Sequence, residues 1–585
     1  MYGKYLLIIL TFFILISCEV SVQQEEKANE VIKIISPRND WNYYENRAIQ
    51  LSLNIKANNI LWYSDIDGFL GSGNGIFVNL RTGSHNIEAH YKNIIYSIVI
   101  EVKQDIINYL EERRYLLNLQ EEYINMNEGL WYPSVISHEG TMISFYYGSP
   151  EPKNIALQDN VNVSNQIRDF HINIENMHNL KINTKKSRSV KMRTYSVGNR
   201  KEFKVINTKE PLNEPHKINA EMIYSGDRYT IWKDEKEPID MSLLNQCIDN
   251  LDNIIMPRLL SIWGEWADID DDGKVAILFS KTINNEKVAV GYFYPKDLYM
   301  IENDPDKPAY NSDSNEMDVI YVAYPYIGDP FYNPSAISAT FAHEITHLIT
   351  FSQKTYNKIL QGNNNVNRET VYLEEGWSHL SENLCGFGTS GGNIMFLKEY
   401  FENTSKYSFC SPNAMGEIDS VGLRGAACLF FSWLFWKQGG MEWHESMPGI
   451  VYDRGGISFL RKLVNSNSVG WPSIGQAIGI TMDELFLEFV RDMNRQRAMN
   501  NLYVYKVDPY TNEPVEFYNN MGILFYQGKS HNIAISNTVT AGTRYNTLPW
   551  SFFFIEPMIT ENDYTLKVSS SLIIGKIYFS LVKGN

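Results

Sequence analysis

The chain predicts a multidomain α+β protein, and three observations carry that expectation. At 585 residues it exceeds what one hydrophobic core usually serves, and 44% apolar residues are enough for several cores. Residues 31–104 and 501–585 are rich in short β-type apolar runs broken by turn residues. Much of the stretch between them carries longer segments with apolar residues at helical spacing. The expected order is a β-sandwich over 31–104, a helical and irregular linker over 105–194, a large mixed domain over 195–500, and a small β-rich accessory domain over 501–585.

At the N-terminus, Lys4 precedes an apolar run over residues 5–16 that is too short to span a bilayer. The run ends in Leu15-Ile16-Ser17-Cys18, which resembles the bacterial lipobox. That resemblance implies a lipoprotein signal peptide over 1–18, cleavage before Cys18, and lipidation of its thiol. The mature chain is then expected in the cell envelope, held outside the cytoplasm by lipid rather than by a helix. Residues 19–30 are polar and acidic, as in a flexible stalk. Net charge is 52 − 68 = −16, which argues against nucleic acid as a partner.

The sandwich is expected from runs at 31–35, 49–55, 60–63, 75–80, 85–91 and 95–102. Leu61-Trp-Tyr-Ser-Asp-Ile-Asp-Gly68 and Leu80-Arg-Thr-Gly-Ser-His85 resemble bacterial Ig-like modules. No catalytic grouping lies here, so the module is either a spacer or a substrate- or surface-binding unit. Ile106, Tyr109, Leu110, Leu116, Leu117 and Tyr123 predict a linking helix within 105–128. A basic run at 185–193 precedes the mixed domain and fits a solvated linker.

The mixed domain is expected to open with strands near 202–206 and 220–232, then a helix over 241–263 capped by Asp240. Asp268-Ile-Asp-Asp-Asp-Gly-Lys-Val275 follows. Asp268, Asp270 and Asp272 with Gly273 form the first half of an EF-hand-type loop, but Phe279 stands where the bidentate Glu belongs. The loop is either a structural Ca²⁺ site or a plain acidic turn. Runs at 288–294 and 317–324 predict further strands.

Phe341-Ala-His-Glu-Ile-Thr-His-Leu-Ile349 is the decisive stretch. Asn333 is a good N-cap, Pro334 suits the first helical position, and no Gly or Pro follows from 335 to 352. His343 and His347 therefore share one helix face and suit a single Zn²⁺, with Glu344 placed to deprotonate its water. A catalytic zinc needs a third protein ligand and one open position. A metzincin would place Gly at 350 and His at 353, but this chain has Thr350 and Gln353. By residue type, Glu374, Glu375, Glu369 and His379 all remain candidates, with Glu382 further along as a supporting or solvated acid.

The step Glu374-Glu375-Gly376 resembles the gluzincin pattern, which implies Glu375 as the third ligand. The combination of His-Glu-x-x-His with Leu-Glu-Glu-Gly-x-Ser resembles the hyicolysin family of bacterial neutral metallopeptidases over residues 195–495. Family members usually carry Asn where this chain has Glu374. The resemblance implies a zincin-type domain, endopeptidase activity on protein or peptide substrates, and an edge strand, here 317–324, that pairs with extended substrate. The acidic loop at 268–273 resembles the same family. The group assisting the oxyanion stays unassigned among Tyr400, Tyr407, His444, Tyr452 and His379. The alternative is a surface-binding lipoprotein with an inactive zincin domain, which the intact motif disfavours.

Helices are expected at 393–402, 421–436, 457–463 and 482–499. The apolar run 428–436 is too short for a bilayer and is expected as a core helix holding Cys428 as a free thiol. Cys385 with Cys410 is the one disulfide pairing considered.

Overall fold

The computed structural model describes residues 32–104, 112–137, 143–147, 195–499 and parts of 508–583, with short gaps inside these ranges of which 408–419 is the longest outside the C-terminal part. The lipobox with Cys18, the stalk, the basic run and Cys410 lie outside the described residues. The chain divides into two compact units, Met1–Lys103 and Gln104–Asn585.

In the first unit, a three-stranded sheet (Ile34–Ser36, Ile49–Leu53, Ile76–Val78) and a five-stranded sheet enclose one core. The five-stranded sheet runs Tyr43–Tyr44, Ile94–Lys103, Gly83–Tyr91, Leu61–Ser64, Gly68–Ser72. Alternation explains the packing: His85, Ile87 and Ala89 point inward while their neighbours do not. Trp62, fully buried, donates its indole N–H to the Gly73 carbonyl at 2.8 Å.

In the second unit, a six-stranded sheet supports the candidate site. Its strands are β1 (Arg200–Val205), β2 (His216–Ser225), β3 (Tyr229–Asp234), β4 (Val275–Ser280), β5 (Gly291–Phe293) and β6 (Val319–Ala323), in spatial order β1-β2-β3-β4-β6-β5. Strand β4, Val-Ala-Ile-Leu-Phe-Ser, is buried at all positions, as expected for a strand covered on both faces. It runs parallel to β3 and β6, whereas β5 is antiparallel to β6. The segment 317–324 is therefore interior, and the edge strand is β5. The sequence hides this because β5 has only three residues and little pattern of its own.

Asp240 caps Met241–Asn250, accepting from Ser242 N at 2.8 Å. The expected single helix to residue 263 is interrupted by a π-helical turn, Leu251–Ile255, before Met256–Trp263. Pro257 explains the change of register, since it has no N–H to donate. Helix α1 (Pro334–Phe351) is capped by Asn333, whose side chain accepts from Ala336 N at 2.7 Å. Helix α2 (Val371–Leu384) packs its Trp377 on Trp263, with ring centroids 5.6 Å apart. Helix α3 (Val421–Lys437) carries Cys428 in its buried interior. A Cβ at Gly376 would collide with the Phe431 ring, so glycine there lets α2 approach α3. Cys247 and Cys428 are buried free thiols. Cys385 is buried too, but its expected partner lies outside the described residues.

Two expectations about the flanks do not hold. Where a linking helix was expected in 105–128, Glu112–Leu116 and Glu121–Met126 are strands. Nor do the C-terminal strands stand apart as an accessory unit. Gly129–Ser137 pairs with Ile577–Lys583, Ser551–Ile555 and Met558–Thr560, and Glu121–Met126 pairs with Tyr564–Ser570. Segments flanking the mixed domain thus share sheets, and long-range pairing overrides the local helical spacing. Asn494, on helix Met482–Met499, ties that helix to the shared sheet by donating to the Tyr132 carbonyl at 2.8 Å. Among the described residues, no helix is long and apolar enough to cross a membrane.

Candidate metal centre

His343 and His347 project from the same face of α1, and their Nε2 atoms lie 3.1 Å apart. Glu375, on α2, turns its carboxylate to both: Oε2 is 3.5 Å from His343 Nε2 and Oε1 is 3.5 Å from His347 Nε2. Two ligands about 2.0–2.1 Å from a tetrahedral zinc stand roughly 3.4 Å apart, so this donor set fits that ion. His343 Nδ1 donates to Glu382 Oε1 at 2.7 Å, which turns the Nε2 lone pair toward the other donors. Burial opposes a charged His343, yet hydrogen bonds to Glu375 and Glu382 outweigh it and raise the imidazole to about 10.

Of the competing candidates, Glu374 and Glu369 are occupied elsewhere, whereas His379 stands beside the site. Glu374 pairs with Arg368 at 3.2 Å. Glu369 forms a buried ion pair with Lys354 at 3.0 Å and accepts from Gly470 N at 2.5 Å, a structural role. His379 Nδ1 donates to the same Glu382 oxygen at 2.9 Å, so one buried carboxylate orients two imidazoles. Glu382 is therefore no solvated acid.

Glu344 is buried beside the imidazoles, and desolvation raises its carboxyl while His343, His347 and Arg424 pull it down. Edge strand β5 lies directly against it: a Cβ on Gly291 would come within 3.1 Å of Glu344 Oε1. A cavity of about 610 Å³ opens here, lined by β5, α1, α2 and the start of α3. Tyr400, Tyr407, His444 and Tyr452 do not line it. Tyr407 instead donates to Glu399 at 2.6 Å, and His444 Nδ1 accepts from Ser446 N at 3.1 Å. Of the five candidates for assisting the oxyanion, only His379 reaches the cavity.

Sequence reading missed Arg424, whose Nη1 lies 2.9 Å from Glu375 Oε2. The one available signal was a cation in the first turns of an otherwise apolar helix.

The acidic loop groups differently from its spacing. Asp268, Asp270 and Asp318 bring ligand atoms within 4.8 Å of one another, whereas an Asp272 oxygen accepts from Lys274 N at 2.8 Å. Asp270 is fully buried with neither carboxylate oxygen hydrogen-bonded, and burial beside Asp272 and Asp268 raises it to about 7. Asp318, also fully buried, accepts from Trp266 Nε1 at 2.7 Å and from Ile269 N at 3.2 Å. Gly273, at φ +73°, makes the turn that a side chain would strain.

No family model matches the chain. Over 179 residues it is 27% identical to the neutral metalloprotease ShpI of Staphylococcus hyicus. That match is to a metallopeptidase. It covers 29% of this chain and 37% of the relative, little more than a third of that protein's length. His343, His347 and Glu375 form a grouping that could hold a metal ion, and the match is to a protein that carries metalloprotease in its name.

Proposed function

We propose that the chain is a zinc-dependent endopeptidase, held outside the cytoplasm by a lipid on Cys18. The observation that carries the reading is the approach of Glu375 to the His343–His347 pair within one cavity that also exposes Glu344. His343, His347 and Glu375 would hold Zn²⁺, which when bound acidifies water and polarises a carbonyl. Glu344, made more basic by desolvation and kept ionisable by the neighbouring cations, takes the proton of the attacking water and passes it to the leaving amine. Strand β5 offers its free edge for an extended peptide, and Gly291 lets that edge come close to Glu344. Glu382 keeps His343 in the tautomer that presents Nε2.

A second cation belongs to the reading. Two fully buried aspartates beside a third are costly without a compensating charge, and oxygen-only donors select a hard ion. We assign Asp268, Asp270 and Asp318 to structural Ca²⁺, in place of the set Asp268, Asp270 and Asp272.

Glu344→Gln tests the chemistry. It is expected to retain zinc and lose at least about 100-fold in casein cleavage, the usual worth of a general base. Zinc retained with undiminished cleavage would remove Glu344 from the mechanism. Zinc-loaded wild-type protein that cleaves no unfolded substrate would favour a binding protein instead. The anchor is tested by Cys18→Ser, expected to abolish palmitate labelling and release the chain from membranes.

A further inference from the structure

Both oxygens of Glu375 stand 3.5 Å from an imidazole nitrogen, so the carboxylate's own placement does not choose between one-oxygen and two-oxygen ligation. Two-oxygen ligation would make the zinc five-coordinate with its water and crowd the position that a catalytic zinc keeps for substrate. The two oxygens differ in their other neighbours: Arg424 Nη1 lies 2.9 Å from Oε2, and His379 Nε2 stands 3.8 Å from the same atom.

The surroundings of Arg424 look arranged for that contact. Ser420 caps α3, its Oγ accepting from Leu423 N at 3.3 Å, and Arg424 follows in the next turn. A cation there faces the positive end of the helix dipole, a placement that helix stability alone disfavours. The neighbouring Gly425 has no room for a Cβ, which would strike the Phe396 carbonyl, and Gly376 lets α2 close on α3 at Phe431. Close approach of three helices therefore brings the guanidinium into the cavity, with its side chain 16% exposed. Three buried carboxylates, Glu344, Glu375 and Glu382, line the same cavity.

We propose that Arg424 is a positioning residue for the metal: it holds Oε2 of Glu375, leaves Oε1 to ligate, and so keeps the metal four-coordinate with its water. The inference rests on the zinc-peptidase reading. A guanidinium suits the task because it is always charged, so its 2.9 Å ion pair with Oε2 does not depend on pH at the arginine.

Cobalt substitution of the full-length chain tests it without reference to turnover, because the visible spectrum reports coordination number. Wild type is expected to give intense four-coordinate bands. R424Q is expected to give the weaker five-coordinate pattern and to bind zinc about 10- to 100-fold less tightly in chelator competition, the usual cost of losing a ligand's supporting contact. R424K keeps the charge without the planar fork and should fall between. If R424Q does not fold by near-ultraviolet circular dichroism, R424K carries the test. A wild-type spectrum and wild-type zinc affinity in the folded variant would overturn the role of Arg424 while leaving the peptidase reading intact. Failure of wild type itself to bind cobalt at this site would overturn both.

Discussion

Glu374 and Glu375 are neighbours of the same chemistry, yet a helix turns successive side chains about 100° apart, so one faces the imidazoles and the other faces Arg368. Charge reversal is not needed to tell them apart. Glu375→Gln is expected to lower zinc affinity by well over about 10-fold, whereas Glu374→Gln is expected to leave it near wild type. Equilibrium dialysis against a zinc buffer separates the two. The histidines, Glu344 and Glu375 were legible in sequence because helical spacing alone brings the first three together and one short motif marks the fourth. Arg424 and Asp318 were not. Each meets its partners only through tertiary packing, and neither lies in a local pattern. Asp270 adds a pH dependence. Its folded value of about 7 lies above the ordinary 3.8, so it favours the fold most at acid pH, and that contribution is lost as pH rises through 7. A bound cation offsets the loss. Added Ca²⁺ is therefore expected to raise Tm more at pH 8 than at pH 5, and an equal increment at both, measured by calorimetry, would remove Asp270 from the site.

At the scale of elements, α1 and α2 followed from their caps and apolar faces. The edge position of β5 did not, because a three-residue strand has almost no periodicity. What α2 needs beyond its ligand is the glycine after it. Gly376→Ala would drive a methyl into the Phe431 ring, and overpacking of this kind costs about 1–3 kcal/mol. The expected result is a lower Tm together with weaker zinc binding, since Glu375 is displaced with its helix. A variant matching wild type in both would show that α2 and α3 have slack at this contact.

Across the whole molecule, the apparent linear order of domains gives way to interleaving. The strand Gly129–Ser137 precedes the six-stranded sheet in sequence but takes its described partners from 551–583. Alternation revealed strands near the C-terminus, but nothing local in the sequence could show which distant segment they would pair with. The buried pair of Arg258 with Asp508 ties helix Met256–Trp263 to the chain beyond residue 500. Truncation at residue 500 would therefore leave that charge unpaired and those strand edges bare. The truncated chain is expected to aggregate on expression, whereas a soluble, zinc-binding fragment would mean that the shared sheets are dispensable.

The central claim is that His343, His347 and Glu375 hold one zinc ion that makes Glu344 a peptidase base. The most direct measurement is zinc content alongside casein cleavage by the full-length chain, before chelation, after chelation, and after zinc is restored. One zinc per chain, cleavage lost on removal and recovered on return is the predicted result. Cleavage that persists in zinc-free protein would contradict it.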